Sequence, residues 1–296
     1  MNDRQWLAEC FEENRAHLRT VAYRMLGSLS DADDALQEAW LRLATTDPRG
    51  VQNPGGWLTT VVARVCLNML RSRTIRREEP IGAHIPDPVL RADGEQPEEQ
   101  ALLADSVGLA LLVVLDTLGP AERLAFVLHD MFGLPFEEIA PIVGRSTATA
   151  RQLASRARRR VRGAQTRSPD PDLARQREVV GAFFAAARDG DFAALLEVLD
   201  PGAVLRIDAG DRHPSASMAV QGADAVARQT LRGLKSGLRD AQLRPVLVNG
   251  NAGVLITVHG QPTAVIGFTV VDGKIVEIDS VADPERLRRL TWRHSP

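Results

Sequence analysis

The chain has 296 residues, enough for two or three domains, each with its own core. Hydrophobic residues make up 44% and charged residues 25%, the balance of a soluble globular protein, and no apolar run is long enough to span a bilayer. A formal net charge of −2 excludes a chain that grips an anionic polymer by bulk charge, so any basic element is offset elsewhere and leans on a partner.

The opening stretch, MNDRQWLAECFEENRAHLRT, is charged and amphipathic and does not read as a signal peptide. Cys10 and Cys66 both fall in helical patterns, which suits buried thiols in a reducing cytoplasm. Residues 3–45 predict two helices broken at Gly27-Ser28. The second opens at SDADD, with Ser30 or Asp31 as cap and acids that suit the helix dipole. After a loop, TTDPRGVQNPGG, a third helix runs through WLTTVVARVCLNMLRSRTIRRE and ends in arginines.

Residues 79–100 hold four prolines and few apolar side chains and read as a linker. From Ala92 to Glu122 there are seven acids and no base. Residues 101–163 return to helical periodicity, with breaks at Gly119-Pro120 and at Phe132–Pro135. FEEIAPIV, then GRS, then a further helix has helix-turn-helix spacing, although Pro141 costs the first helix a backbone bond. Residues 164–172 form a second linker. Beyond it come two helices split at Asp189-Gly190, a short strand AVLRIDA, a third helix GADAVARQTLRGL, and a strand meander with Asn-Gly and Asp-Gly turns. The order implies two all-α domains, the second with the helix-turn-helix, followed by an α+β domain with a curved antiparallel sheet.

The strongest chemical signal is GRSTATARQLASRARRRVRG, residues 144–163. Gly144 suits a left-handed helix end and Ser146 an N-cap, but Thr149 stands where a capping box has Glu or Gln. Ala150, Leu153, Ala154, Ala157 and Val161 form one apolar stripe, and no acid occurs between Arg145 and Arg167. Solvated helices usually mix charge signs, so a phosphate backbone is the better partner.

In order and spacing these parts resemble the extracytoplasmic-function (ECF) sigma factors of bacterial RNA polymerase. SDADDALQEAWLRL is similar to the helix that grips the polymerase clamp. GGWLTTVVARVCLNMLRSRTIRRE is similar to the helix that opens the −10 element. LGPAERLAFVLHDMFGLPFEEIAPIVGRSTATARQLASRARRRV is similar to the domain that reads the −35 element. The tail resembles the SnoaL-like (NTF2-like) cone fold that some ECF groups carry as a fused regulator. DAGDRH stands where some members have Asp-Gly-Gly-Gly, ADPERL where some have Asn-Pro-Asp-Lys-Leu, and IGAHIPDPVL echoes a proline-containing linker motif. The implied domains are region 2 over 1–78, a linker over 79–100, region 4 over 101–163, a linker over 164–172 and the SnoaL-like domain over 173–296.

The resemblance assigns candidate residues. For the −35 element these are Ser146, Thr147, Thr149, Arg151 and Gln152 at base edges, with Ser155, Arg156, Arg158 and Arg159 at phosphates. For the −10 element they are Trp57, Arg64, Asn68, Arg71 and Arg73, with Gln52 and Asn53 in the loop that would hold a flipped base. Trp57 suits a base platform or the core. For core polymerase they are Asp33, Asp34, Leu36, Gln37, Glu38, Trp40 and Leu41, where Leu36, Trp40 and Leu43 also suit the domain core. The acidic stretch reads either as spacer or as a nucleic-acid mimic threading basic channels.

In the tail, Asp208, His213, His259, Asp279, Asp283 and Pro284 are candidates for a pocket or interface, and a small-molecule ligand there is one reading. With no glycine-rich phosphate loop and no cysteine–histidine metal pattern, no cofactor, metal or catalytic residue is expected. The resemblance therefore implies a cytoplasmic sigma factor, not an enzyme. The partners it implies are core RNA polymerase and promoter DNA, with no membrane and no separate anti-sigma factor required. The alternatives are a stand-alone helix-turn-helix repressor and a small-molecule enzyme of the SnoaL/ketosteroid-isomerase-like fold.

Overall fold

The computed structural model describes residues 3–44, 51, 53–76, 84–92, 108–163, 169–210, 212–237 and 241–290. They fall into two compact units, Met1–Glu79 with Val114–Thr166, and Pro80–Val113 with Arg167–Pro296.

The first unit begins with α1 (Asp3–Leu26), α2 (Leu29–Leu43) and α3 (Pro54–Arg76). Gly27 takes φ 70° and leaves Ser28 extended, so Ser28, two residues before the expected Ser30, caps α2 by accepting from the Asp31 amide. Leu18, Val21, Tyr23 and Met25 meet Ala32, Ala35, Ala39 and Leu43, with Leu58, Val62, Cys66 and Leu67 from α3 closing the core. Burial pushes the Cys66 thiol up to about 12, so it is inert packing.

Helix α4 (Leu109–Asp116) carries the division between the units; then α5 (Pro120–Phe126), a π-helical turn (Val127–Met131), α6 (Phe136–Val143) and α7 (Thr147–Gly163) complete the first. Pro141 is exposed and α6 runs only two residues beyond it, so the helix survives the missing donor. Two arginines are buried where α1 and α3 meet the α5–α6 segment. Arg123, 1% exposed, pairs with Asp116 at 2.9 Å and donates to the Arg24 carbonyl. Arg24 lies over the Phe132 ring at 4.7 Å, and burial lowers its pKa to about 10. The first three helices and the helix-turn-helix thus share one packed unit.

The second unit is α+β. Its sheet has the order β1-β4-β5-β6-β7-β2-β3 and is open, with β1 (Leu90–Ala92) and β3 (Met218–Gln221) at its edges. The other strands are β2 (Leu199–Asp208), β4 (Ala241–Val248), β5 (Asn251–Val258), β6 (Gln261–Val271) and β7 (Lys274–Val281). The expected antiparallel meander is present from β4 to β7, but β2 joins β7 in parallel, because the helix Ala223–Gly237 carries the chain back between β3 and β4. Asn249-Gly250, His259-Gly260 and Asp272-Gly273 are left-handed at both positions, the geometry of tight hairpins. Helices α8 (Leu173–Asp189), α9 (Phe192–Val198) and α10 (Ala223–Gly237) cover one sheet face, with Val180, Phe183, Leu195 and Val226 against Val254, Phe268 and Ile278. A short α11 (Pro284–Arg289) ends the described chain.

Residues 84–92, within the segment expected as linker, belong to this second unit. Ile85 and Val89 are buried, and β1 pairs with β4 through Leu90↔Val248 and Ala92↔Val246. Asn249 clamps the approach twice: its side chain accepts from the Val89 amide at 3.0 Å and its amide donates to the Val89 carbonyl at 2.9 Å. The acidic residues at 93–107 lie outside the described residues.

Candidate nucleic-acid interface

The helix-turn-helix is built from local signals. Gly144 takes φ 70° and closes α6; Ser146 then caps α7 by accepting from the Thr149 amide at 3.2 Å, while its hydroxyl meets that of Thr149. Thr149 thus fills the place of the absent box acid with a hydroxyl contact. Ala150, Leu153, Ala154 and Ala157 are buried, so the opposite face of α7 is left to polar residues.

On that face Ser146, Arg151, Gln152, Arg156 and Arg159 are exposed, and Thr147, Thr149, Ser155 and Arg158 are half-buried. The arginines are not equivalent. Arg151 lies over the Phe136 ring at 5.4 Å. Glu122 on α5 takes two of them, one per oxygen: Arg156 Nε and Arg160 Nη1 each donate at 2.8 Å. Asp130 in the π-helical turn accepts from Arg158 Nε at 2.6 Å. Sequence reasoning missed both acids, because nothing local marks a residue two elements away as an arginine partner.

The candidate −10 residues spread along α3. Arg64, Asn68 and Arg71 are exposed, and Trp57 is half-buried at the helix start. Asn53 caps α3, accepting from the Gly56 amide at 3.1 Å; Gln52 lies outside the described residues. Arg73 is held inside the unit, donating to the Leu26 carbonyl at 3.0 Å and pairing with Asp31. The candidate polymerase-binding helix α2 has two faces. Leu36 is core, Trp40 is half-buried 5.3 Å from Phe11, and Asp33, Asp34, Gln37, Glu38 and Leu41 are exposed, Leu41 at 60%. Asp33 is bridged by Arg19 and Glu38 by Arg42. A cavity of about 430 Å³ between α2 and α3 is lined by Asp34, Glu38, Asn68 and Met69 among others.

The six residues named in the second unit do not form one pocket. His213 is exposed, and His259 is an exposed turn residue at φ 50°. Asp279 lies on the sheet face opposite the apolar core, since its neighbour Ile278 faces that core. There Arg206 Nη1 donates to Asp279 at 2.7 Å and to Glu277 at 3.0 Å. Burial raises the Asp279 carboxyl to about 6, against the pull of Arg206. Asp208, Asp283 and Pro284 do cluster. Asp283 caps α11, accepting from the Glu285 amide, and Gly210 packs against its side chain. Asp208 accepts from Arg286 at 2.6 Å and from the Ile85 amide at 2.9 Å. Burial alone would raise its carboxyl; hydrogen bonds from His84 and Ile85 and the Arg286 charge hold it well below the usual range. Arg286 also reaches Asp87 at 2.8 Å. This network staples residues 84–87 to the end of β2, and neither arginine was marked by the sequence. Among the described residues no group of side chains has the makings of a metal site.

Residues 10–75 match the Sigma-70 region 2 family and residues 108–161 the Sigma-70 region 4 family. The chain is 40% identical over 288 residues to the ECF RNA polymerase sigma factor SigJ of Mycobacterium tuberculosis, covering 93% of this chain and 91% of that protein. It is 36% identical to the probable ECF RNA polymerase sigma factor SigI of the same species, covering 97% of each. The crystal structure of M. tuberculosis SigJ superposes with a TM-score of 0.76 at 36% identity, over 96% of this chain and 99% of that one. The two sigma-70 regions fall on the three-helix bundle and on the segment with the helix-turn-helix, the match to these relatives runs through the sheet-containing domain as well, and the chain belongs to the ECF RNA polymerase sigma factors.

Proposed function

We propose that this sigma factor brings promoter specificity to core RNA polymerase by dividing the task among three helices. Helix α7 reads the −35 element from the major groove, with Arg151 and Gln152 at base edges. Helix α3 and the loop before it serve the −10 element through Trp57, Arg64, Asn68 and Arg71. Helix α2 docks on core polymerase through Asp34, Gln37, Glu38 and Leu41, the last a large apolar side chain exposed beside acids. The observation that carries the reading is α7 itself: a capped helix after a glycine turn, one face packed and the other presenting Arg151, Gln152 and Arg159 to solvent.

The second unit acts as a fused regulator rather than an enzyme, with no separate anti-sigma factor required, and the protein works in the cytoplasm beside the polymerase. Support comes from its carboxylates: Asp208 and Asp279 are both engaged by half-buried arginines, which leaves neither as a free general base. Support also comes from residues 84–92, part of the connection between the two DNA-reading segments, which that unit holds.

The test is transcription from a promoter selected from genomic fragments, with purified core polymerase and the full chain. Transcription that depends on the chain, and that falls with Arg151→Ala, is the expected result. Duplex binding without polymerase and no transcription would replace this reading with the repressor.

A further inference from the structure

The arginines of α7 sort by angle around the helix. At about 100° per residue, the polar face runs in the order Arg158, Arg151, Arg162, Ser155, Arg159, Gln152, Arg156, Arg160. The two borders of this face are the tethered positions: Arg158 by Asp130 on one side, Arg160 and its neighbour Arg156 by Glu122 on the other. Between them lie Arg151, Arg162, Ser155, Arg159 and Gln152, and Arg159 makes no ion pair among the described residues. The tethers are well formed. Glu122 is only 13% exposed, presents one oxygen to each guanidinium, and sits on a different helix, so the pairing is not a by-product of sequence neighbourhood. Its partners keep about half their surface, 50% and 55%, so once released from the carboxylate they would reach an incoming phosphate.

A carboxylate that accepts from a guanidinium occupies the donors a DNA phosphate would use. Each phosphate neutralised adds about 0.9 to the salt slope of binding and raises affinity for every sequence alike. Holding back the border arginines therefore removes sequence-independent affinity and leaves the base-reading centre in command. We propose that Glu122 and Asp130 are positioning residues that set the promoter selectivity of α7, by tethering its border arginines away from the DNA backbone. This rests on the reading of α7 as the −35 helix.

The experiment uses the full chain assembled with core polymerase, bound to labelled promoter duplex and to random-sequence duplex, with anisotropy read across a KCl titration. Glu122→Gln releases two arginines, so the log–log slope on random duplex steepens by about 1.8 and binding at low salt tightens at least about tenfold. The preference for promoter over random duplex falls by a similar factor. Glu122→Asp, which keeps the charge, stays near the parent slope. In an Arg156→Gln/Arg160→Gln background, Glu122→Gln no longer steepens the slope, as a double-mutant cycle through these arginines requires.

An unchanged or shallower slope for Glu122→Gln, with thermal melting intact, overturns the proposal. So does a steepening that persists without the two arginines. If Glu122→Gln fails to fold, Asp130→Asn carries the same test with one released arginine and a change of about 0.9. Arg151→Ala separates the two levels. If it leaves promoter binding untouched, the reading of α7 as a DNA helix fails. If it weakens binding while neither acid variant moves the slope, only the tethering fails.

Discussion

Arginine does opposite work in the two units of this molecule. On α7 it stands at a surface, at most one carboxylate to each of Arg156, Arg158 and Arg160, with Arg151 and Arg159 turned to solvent. In the α+β unit it is an internal staple: Arg206 and Arg286 each hold two carboxylates and keep only about a sixth of their side-chain surface, 17% and 16%. The difference lies in how many acids surround the guanidinium and how much water does. A desolvated arginine with two acids is saturated and structural; an exposed one with none retains donors for an outside anion.

The sharpest way to break this contrast is Arg286→Gln. It removes the guanidinium that bridges Asp208 and Asp87, and the second unit should lose roughly 3–5 kcal/mol, seen as a lower melting temperature with residues 84–92 opened to hydrogen exchange. Wild-type stability would show that the staple is idle. Next in size is Arg151→Ala, for which promoter affinity should drop by about 1–3 kcal/mol at one −35 base position with thermal stability unchanged. Equal loss on all sequences would move Arg151 from base reading to phosphate contact.

Asp279 offers a pH test. Its folded-state pKa, about 6, lies above the ordinary carboxylate value, so the native state holds a proton the unfolded chain releases. That contribution is full below the unfolded value and is lost as pH rises through about 6. Asp279→Asn should therefore flatten the stability profile between roughly pH 4 and pH 6, removing a decline of order 1–3 kcal/mol. An unaltered slope in chemical denaturation across that window would show that Asp279 is ionised throughout. The smallest effect belongs to Arg159→Gln, an exposed cation with no ion pair among the described residues. Its loss should make the salt slope of DNA binding shallower by about 0.9 and leave melting as it is.

Much of the architecture was readable along the chain. The Gly144–Ser146 turn and cap, the apolar stripe of α7 and the Asn-Gly and Asp-Gly hairpins depend on residues a few positions apart, and each is where the pattern put it. The cap of α2 moved to Ser28 because the left-handed Gly27 decides where the helix starts, a backbone effect the acidic SDADD pattern conceals. His213 and His259 were chosen by residue type alone, and one is an exposed loop residue, the other a turn former.

Helix periods, caps and turn residues are short-range chemistry, so the two helical segments, the helix-turn-helix and the hairpin sheet follow from order and spacing. Which arginines are spoken for does not. Glu122 lies 34 and 38 positions from its partners, Asp87 lies 199 from Arg286, and β1 joins the sheet of a unit whose other strands begin more than a hundred residues later. Charge pairing and burial are set by distance in space, which only the packed chain defines.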